Sequence, residues 1–212
     1  MTPNEFVEFF GQEKASAILR TPNAEAAAPA MEAAIRGGFK VIEFTLTTPN
    51  AFELIREFSN LDGVVVGAGT VLSVDDANQA VDAGASFLVS PVVDEVVIDT
   101  AKSRNVAMMP GTHTPTEMLR AHNAGAQLQK LFPAPGIGAA FVKACLGPMP
   151  FLKIVPTNGV HLSNVDSFIK AGSFAVGFVA PLFDPNDLAA GKFEKVEEKA
   201  TKLIAAIRAA TK

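Results

Sequence analysis

The sequence predicts a single α/β domain spanning residues 1–212, folded as a (β/α)8 TIM barrel with a short N-terminal helix. Two observations predict it and a third narrows the choice. Eight short apolar segments alternate with helical patterns, which implies βα units and a parallel sheet. Gly38, Gly84, Gly125 and Gly172 each close a helix just before an apolar segment, 46, 41 and 47 residues apart, and each interval holds two βα units. An open doubly wound sheet is the alternative, but no Gly-x-Gly-x-x-Gly follows the first strand to support a dinucleotide fold. No linker divides the chain, and its 212 residues sit at the compact end for such a barrel.

The elements follow in order. Pro3 to Phe10 reads as the leading helix, and Ala15-Ser16-Ala17-Ile18-Leu19 as a strand that ends on Arg20. Alanine-rich helical spacing runs from Ala24 to Ile35, with Gly37-Gly38 as its stop. Phe39 to Leu46 is a strand carrying Glu43, and Pro49 is expected to open a helix through Phe58. Strand Gly63 to Ala68 precedes helix Val74 to Val81, and strand Ser86 to Ser90 precedes helix Val93 to Ala101. Val106 to Met109 is the fifth strand. Thr114-Pro115-Thr116-Glu117 then starts a helix with a Thr cap, an early Pro and an acid in the first turn. The sixth strand runs through Gln127-Leu128-Gln129-Lys130-Leu131-Phe132 and stops at Pro133. Helix Ala139 to Leu146, strand Phe151 to Val155, helix Ser163 to Ala171, strand Phe174 to Phe178 and a long helix from Phe193 to Ala210 complete the chain.

Composition excludes several classes. Hydrophobic residues make 49% and charged residues 19% of the chain, so a large core is expected and disorder is not. A net charge of −4 argues against a nucleic-acid partner, which favours a basic face. Cys145 is the only cysteine, which rules out an internal disulfide and suits a reducing compartment. No basic segment and apolar core follow Met1, and no apolar run approaches the ~20 residues of a membrane span, so a cytoplasmic protein is expected. His113, His122 and His161 show no metal-ligand spacing, so neither a metal nor another cofactor is expected.

In a barrel the site forms at the C-terminal ends of the strands, and the unusual polar residues fall there. Arg20 follows strand one, Glu43, Thr45 and Thr47 lie along and beyond strand two, and Thr70 follows strand three. Pro91 follows strand four, Thr112 and His113 strand five, Lys130 ends strand six, and Thr157 and Asn158 follow strand seven. A lysine among apolar residues either faces water or an acidic partner, or is buried for a purpose. Desolvation lowers an ammonium pKa and leaves the neutral amine that attacks a ketone. Glu43 is either its structural ion-pair partner, or that of Arg20, or a proton relay beside it. Arg20 is either that partner or a two-pronged carboxylate clamp.

Together these residues resemble the 2-keto-3-deoxy-6-phosphogluconate / 4-hydroxy-2-oxoglutarate aldolase family. The likeness covers nearly the whole chain. It rests on Glu43-Phe44-Thr45-Leu46, Val66-Gly67-Ala68-Gly69-Thr70-Val71-Leu72, Ser90-Pro91, Met109-Pro110-Gly111, Lys130-Leu131-Phe132-Pro133 and Pro156-Thr157-Asn158-Gly159. The resemblance implies a homotrimeric barrel and a metal-independent aldolase acting on a small-molecule 2-keto acid. It implies that Lys130 forms an imine with pyruvate and that Glu43 is the general acid and base. Thr70 and Pro91 would line the pyruvate pocket, Phe132 would pack over it, and Thr157, in the loop with Asn158 and Gly159, would contact substrate.

Three positions depart from the family pattern. Thr47 stands where many members place the arginine that holds the pyruvate carboxylate, a task left to Arg20. Asn158 replaces a glycine of the Pro-Thr-Gly-Gly loop. Phe178-Val179-Ala180 replaces a Gly-Gly-Ser phosphate cradle, so a bulky, hydroxyl-free phosphate site is expected. An unphosphorylated 2-keto-4-hydroxy acid or the galactonate epimer is therefore an alternative substrate. A barrel isomerase or decarboxylase, and a non-catalytic 2-keto-acid binder, are the competing functions.

Overall fold

The computed structural model describes residues 1–211. The chain is an α/β fold of parallel strands wrapped by helices. In order it runs α1 (Pro3–Glu13), β1 (Ala15–Leu19), α2 (Ala24–Arg36), β2 (Val41–Thr45), α3 (Ala51–Phe58), β3 (Val65–Gly69) and α4 (Val74–Asp82). Next come β4 (Phe87–Val89), α5 (Glu95–Ser103), β5 (Ala107–Met109), β6 (Gly111–Thr112), α6 (Pro115–Asn123), β7 (Gln129–Leu131) and α7 (Ala139–Leu146). It ends with β8 (Ile154–Pro156), α8 (Val165–Lys170), β9 (Val176–Phe178), α9 (Pro185–Ala189) and α10 (Phe193–Ala210).

One sheet has the order β5-β4-β3-β2-β1-β9 and the other β6-β7-β8, and every pair is parallel. The fifth apolar segment is two strands because Pro110, which has no N–H to give to a ladder, separates β5 from β6. At the other boundary Thr157 bridges Gly177 of β9 in parallel. The four repeating glycines adopt φ of +109°, +105°, +102° and +97°, the left-handed turn that returns each helix to a strand. Asn105 does the same work before β5 at φ 54°, which hides that turn from a glycine count.

Local chemistry sets the remaining boundaries. Thr2 and Glu5 form a capping box on α1, and Thr114 and Glu117 form one on α6. The helix expected from Pro49 begins at Ala51 instead, because Asn50 takes a left-handed turn at φ 58°. The strand expected from Phe151 is confined to Ile154–Pro156, and the short α9, capped by Asp184, was not expected.

Alternation along the strands divides the core. Ala17, Leu19, Ile42, Phe44, Leu88 and Phe178 face outward into the layer shared with the helices. Val41, Val65, Phe87, Val89, Met109, Leu128 and Val155 face the opposite way, and Phe6 and Phe10 of α1 pack among them. Phe6 stacks on Phe87 with ring centroids 4.4 Å apart. Among the described residues no helix is long and apolar enough to cross a membrane.

Candidate active site

Strand register brings the two ionisable groups into the inward face. Glu43 pairs with Ile18 on one side and Gly67 on the other, and Lys130 pairs with Gly111 and Val155. Glu43 is fully buried and Lys130 is 6% exposed. Lys130 is in the middle of its strand, and Thr112 Oγ1 donates to the Lys130 carbonyl at 3.0 Å, fixing the backbone that aims the side chain.

Glycines make the room. A Cβ at Gly69 would collide with Glu43 Oε1, so the carboxyl occupies the volume that a side chain at residue 69 would need. A Cβ at Gly67 would lie 2.5 Å from the Phe87 ring.

The electrostatics follow from burial. Desolvation raises the Glu43 pKa above its ordinary value, while the charges of Lys130 and then Arg20 oppose the rise. Desolvation lowers the Lys130 pKa, Glu43 pulls it back up, and Arg20 lowers it further. The two groups feel each other's charge, yet no ion pair within 4.0 Å joins them, and neither Glu43 oxygen has a hydrogen-bond partner among the described residues. The structural ion-pair reading of Glu43 therefore does not hold in this arrangement. Burial without a locked partner thus raises the carboxyl pKa and lowers the amine pKa, each toward its uncharged form.

A cleft of about 450 Å³ opens beside them, walled by Arg20, Thr21, Pro22, Thr47, Thr70, Pro91 and Phe132. Lys130 Nζ lies 5.1 Å from the Phe132 ring centroid, so this wall of the cleft is also the cover of the amine. Arg20 Nη2 donates to Thr70 Oγ1 at 3.2 Å, and Thr70 holds a left-handed φ of 62°. Arg20 has no carboxylate partner among the described residues, and its remaining N–H groups are free for an anion. A separate cleft of about 430 Å³ between His161, Pro181 and Lys202 is lined by none of the residues that the sequence assigns to the site.

The structure thus gathers Arg20, Thr47, Thr70, Pro91 and Phe132 round one cleft, with Lys130 and Glu43 buried next to it. Thr157, Asn158 and Gly159 are not part of that wall. Thr157 is 1% exposed with an unpartnered hydroxyl. Asn158 and Gly159 take φ of 54° and 134°, and Ala134 N–H donates to the carbonyls of Thr157 and Asn158, both at 3.1 Å, which joins this loop to the one after Phe132. His113 is exposed, with Nδ1 3.0 Å from the Pro133 carbonyl.

One expectation is corrected. Phe178 does not crowd the rim. Its buried ring points outward against Phe39, centroids 6.0 Å apart. Sequence reading also passed over Thr21 and Pro22, which carry no motif, and Thr48, whose hydroxyl is buried by a turn that spacing does not reveal. Among the described residues no three His, Cys, Asp or Glu side chains are grouped to hold a metal ion.

The 2-dehydro-3-deoxy-phosphogluconate aldolase of Treponema pallidum (strain Nichols) is 33% identical over 181 residues, covering 84% of this chain and 86% of its own. A native KDPGal structure superimposes with a TM-score of 0.85 at 28% identity, over 93% of this chain and 95% of that one. KDPG aldolase from Legionella pneumophila, with pyruvate captured at low pH as a covalent carbinolamine intermediate, shares the fold at a TM-score of 0.84 and 24% identity, over 93% of this chain and 97% of that one. The family model for KDPG and KHG aldolase matches residues 8–199, and the chain belongs to that family.

Proposed function

We propose that Lys130 is the imine-forming lysine of this enzyme and that Glu43 moves the protons. As a member of its family the chain is a Schiff-base aldolase, a carbon–carbon lyase that cleaves a 2-keto-3-deoxy or 2-keto-4-hydroxy acid to pyruvate and an aldehyde. The observation that carries the assignment is the burial of Lys130 next to Glu43 without an ion pair between them.

The neutral Lys130 amine attacks C2 of the keto acid, and Glu43 protonates the departing C2 oxygen as water. The protonated imine is an electron sink. Glu43 takes the proton of the C4 hydroxyl, the C3–C4 bond breaks, its electrons form the enamine, and the aldehyde leaves. Protonation at C3 and addition of water at C2 release pyruvate and restore the amine. Arg20 holds the pyruvate carboxylate, helped by the hydroxyl of Thr70, whose proton is free because Thr70 accepts from Arg20. Thr47 lines the same cleft, Pro91 and Phe132 exclude water, and Thr157, Asn158 and Gly159 flank the aldehyde end.

The outward turn of Phe178 supports a phosphorylated substrate. The backbone N–H groups of Asn158 and Gly159 donate to no acceptor among the described residues and are available to an anion. The paired sheets, the Thr157–Gly177 bridge and the single Pro110 between β5 and β6 support one closed (β/α)8 barrel over residues 1–212. Val92 and Val96, 51% and 63% exposed, support a face covered in a homotrimer, and the metabolic reading carries a cytoplasmic location. Intact-mass spectrometry after incubation with pyruvate and sodium borohydride tests the chemistry. A reduced pyruvyl adduct that disappears in Lys130→Ala is expected. No adduct on the folded parent at any pH overturns the imine role.

A further inference from the structure

Three threonine hydroxyls beside the cleft form a chain in which a single set of proton directions satisfies every contact at once. A hydroxyl has one proton to donate. In that set Thr48, 2% exposed, accepts from Thr21 N–H at 3.4 Å and donates to the Leu19 carbonyl at 3.4 Å. Across the 3.2 Å contact between Thr45 and Thr48, Thr45 is then the donor. Thr45 is 1% exposed and has no second proton, so across its 3.0 Å contact with Thr47 the donor must be Thr47. The Thr47 proton points inward. What Thr47 then has to offer the cleft it lines is an acceptor.

We infer that Thr47 is a specificity-determining residue that accepts a hydrogen bond from a hydroxyl on the aldehyde half of the substrate. This rests on the aldolase reading above. A carboxylate and a keto oxygen are acceptors and cannot satisfy a lone pair. On a 2-keto-3-deoxy or 2-keto-4-hydroxy acid the hydroxyl donors begin at C4, and all of them lie on the fragment released as aldehyde. The cleft therefore carries two polarities: donors on Arg20 and Thr70 for the carboxylate end, and an acceptor on Thr47 for the hydroxylated end. Thr47 is exposed on the cleft wall, so its substitution leaves the core packing alone.

The test compares two rates on one protein. Retro-aldol cleavage of 2-keto-3-deoxy-6-phosphogluconate uses the whole substrate. Exchange of the pyruvate C3 hydrogens with deuterated water uses the same imine and lacks a hydroxyl donor. In Thr47→Val the ratio of cleavage kcat/KM to exchange kcat/KM is expected to fall about tenfold, the loss of one hydrogen bond. Thr47→Ser, which keeps the oxygen, is expected to hold the parent ratio. An unchanged ratio in Thr47→Val, whether both rates fall together or neither does, overturns the inference. Absence of pyruvate exchange in the parent would instead overturn the aldolase reading, so the two failures are distinct.

Discussion

Glu43 and Gly69 share one volume: the carboxyl of the first stands where the second lacks a side chain. Gly69 does not have a left-handed backbone, so alanine is excluded there by the carboxyl alone. Gly69→Ala is expected to fold and to displace Glu43 from its position next to Lys130. Steady-state kcat should fall about 10²-fold, the lower range for loss of a general acid–base. A long incubation with pyruvate and borohydride should still label Lys130. A variant with parental kcat would show that the position of Glu43 does not matter to the reaction.

The neighbours of Lys130 act on it with opposite signs, and this gives a pH experiment. Glu43 raises the amine pKa against burial, and Arg20 lowers it. The imine forms from the free amine, so the trapping rate rises as pH passes upward through that pKa. Removing the Glu43 charge in Glu43→Gln should move the midpoint to lower pH. Removing the Arg20 charge in Arg20→Gln should move it to higher pH. Pyruvate trapping with cyanoborohydride, followed across a pH series, reads both midpoints independently of amplitude. Shifts in the same direction would contradict the electrostatic picture.

Phe178 belongs to the packing between strands and helices. Phe178→Ala is expected to cost about 3–5 kcal/mol of unfolding free energy, as for a buried ring, and urea denaturation measures it. The preference for a phosphorylated over an unphosphorylated keto acid should be unaffected by the same substitution. A gain in that preference would return the ring to the rim.

These results show what a linear reading can and cannot reach. The helix-to-strand turns at Gly38, Gly84, Gly125 and Gly172 were legible because a left-handed backbone selects glycine, and they set the order of the βα units. Lys130 and Glu43 were legible because a charge inside an apolar strand violates burial rules. The facing of Phe178 was not, since a short strand near a loop gives too few alternations to assign a face. Asn50 and Asn105 concealed two turns because asparagine tolerates the same backbone as glycine. The Thr45-Thr47-Thr48 chain needed the fold of the turn after β2, which spacing alone does not specify.

The stacked pair Phe6 and Phe87 has a kinetic meaning. With α1 seated among the inward-facing residues where the strands begin, the cleft beside Arg20 and Phe132 lies where they end. Under the proposed chemistry the aldehyde is released by C3–C4 cleavage, before water frees pyruvate from Lys130. Product inhibition should carry the signature of that order: pyruvate competes with the keto acid for the free enzyme, and the aldehyde does not.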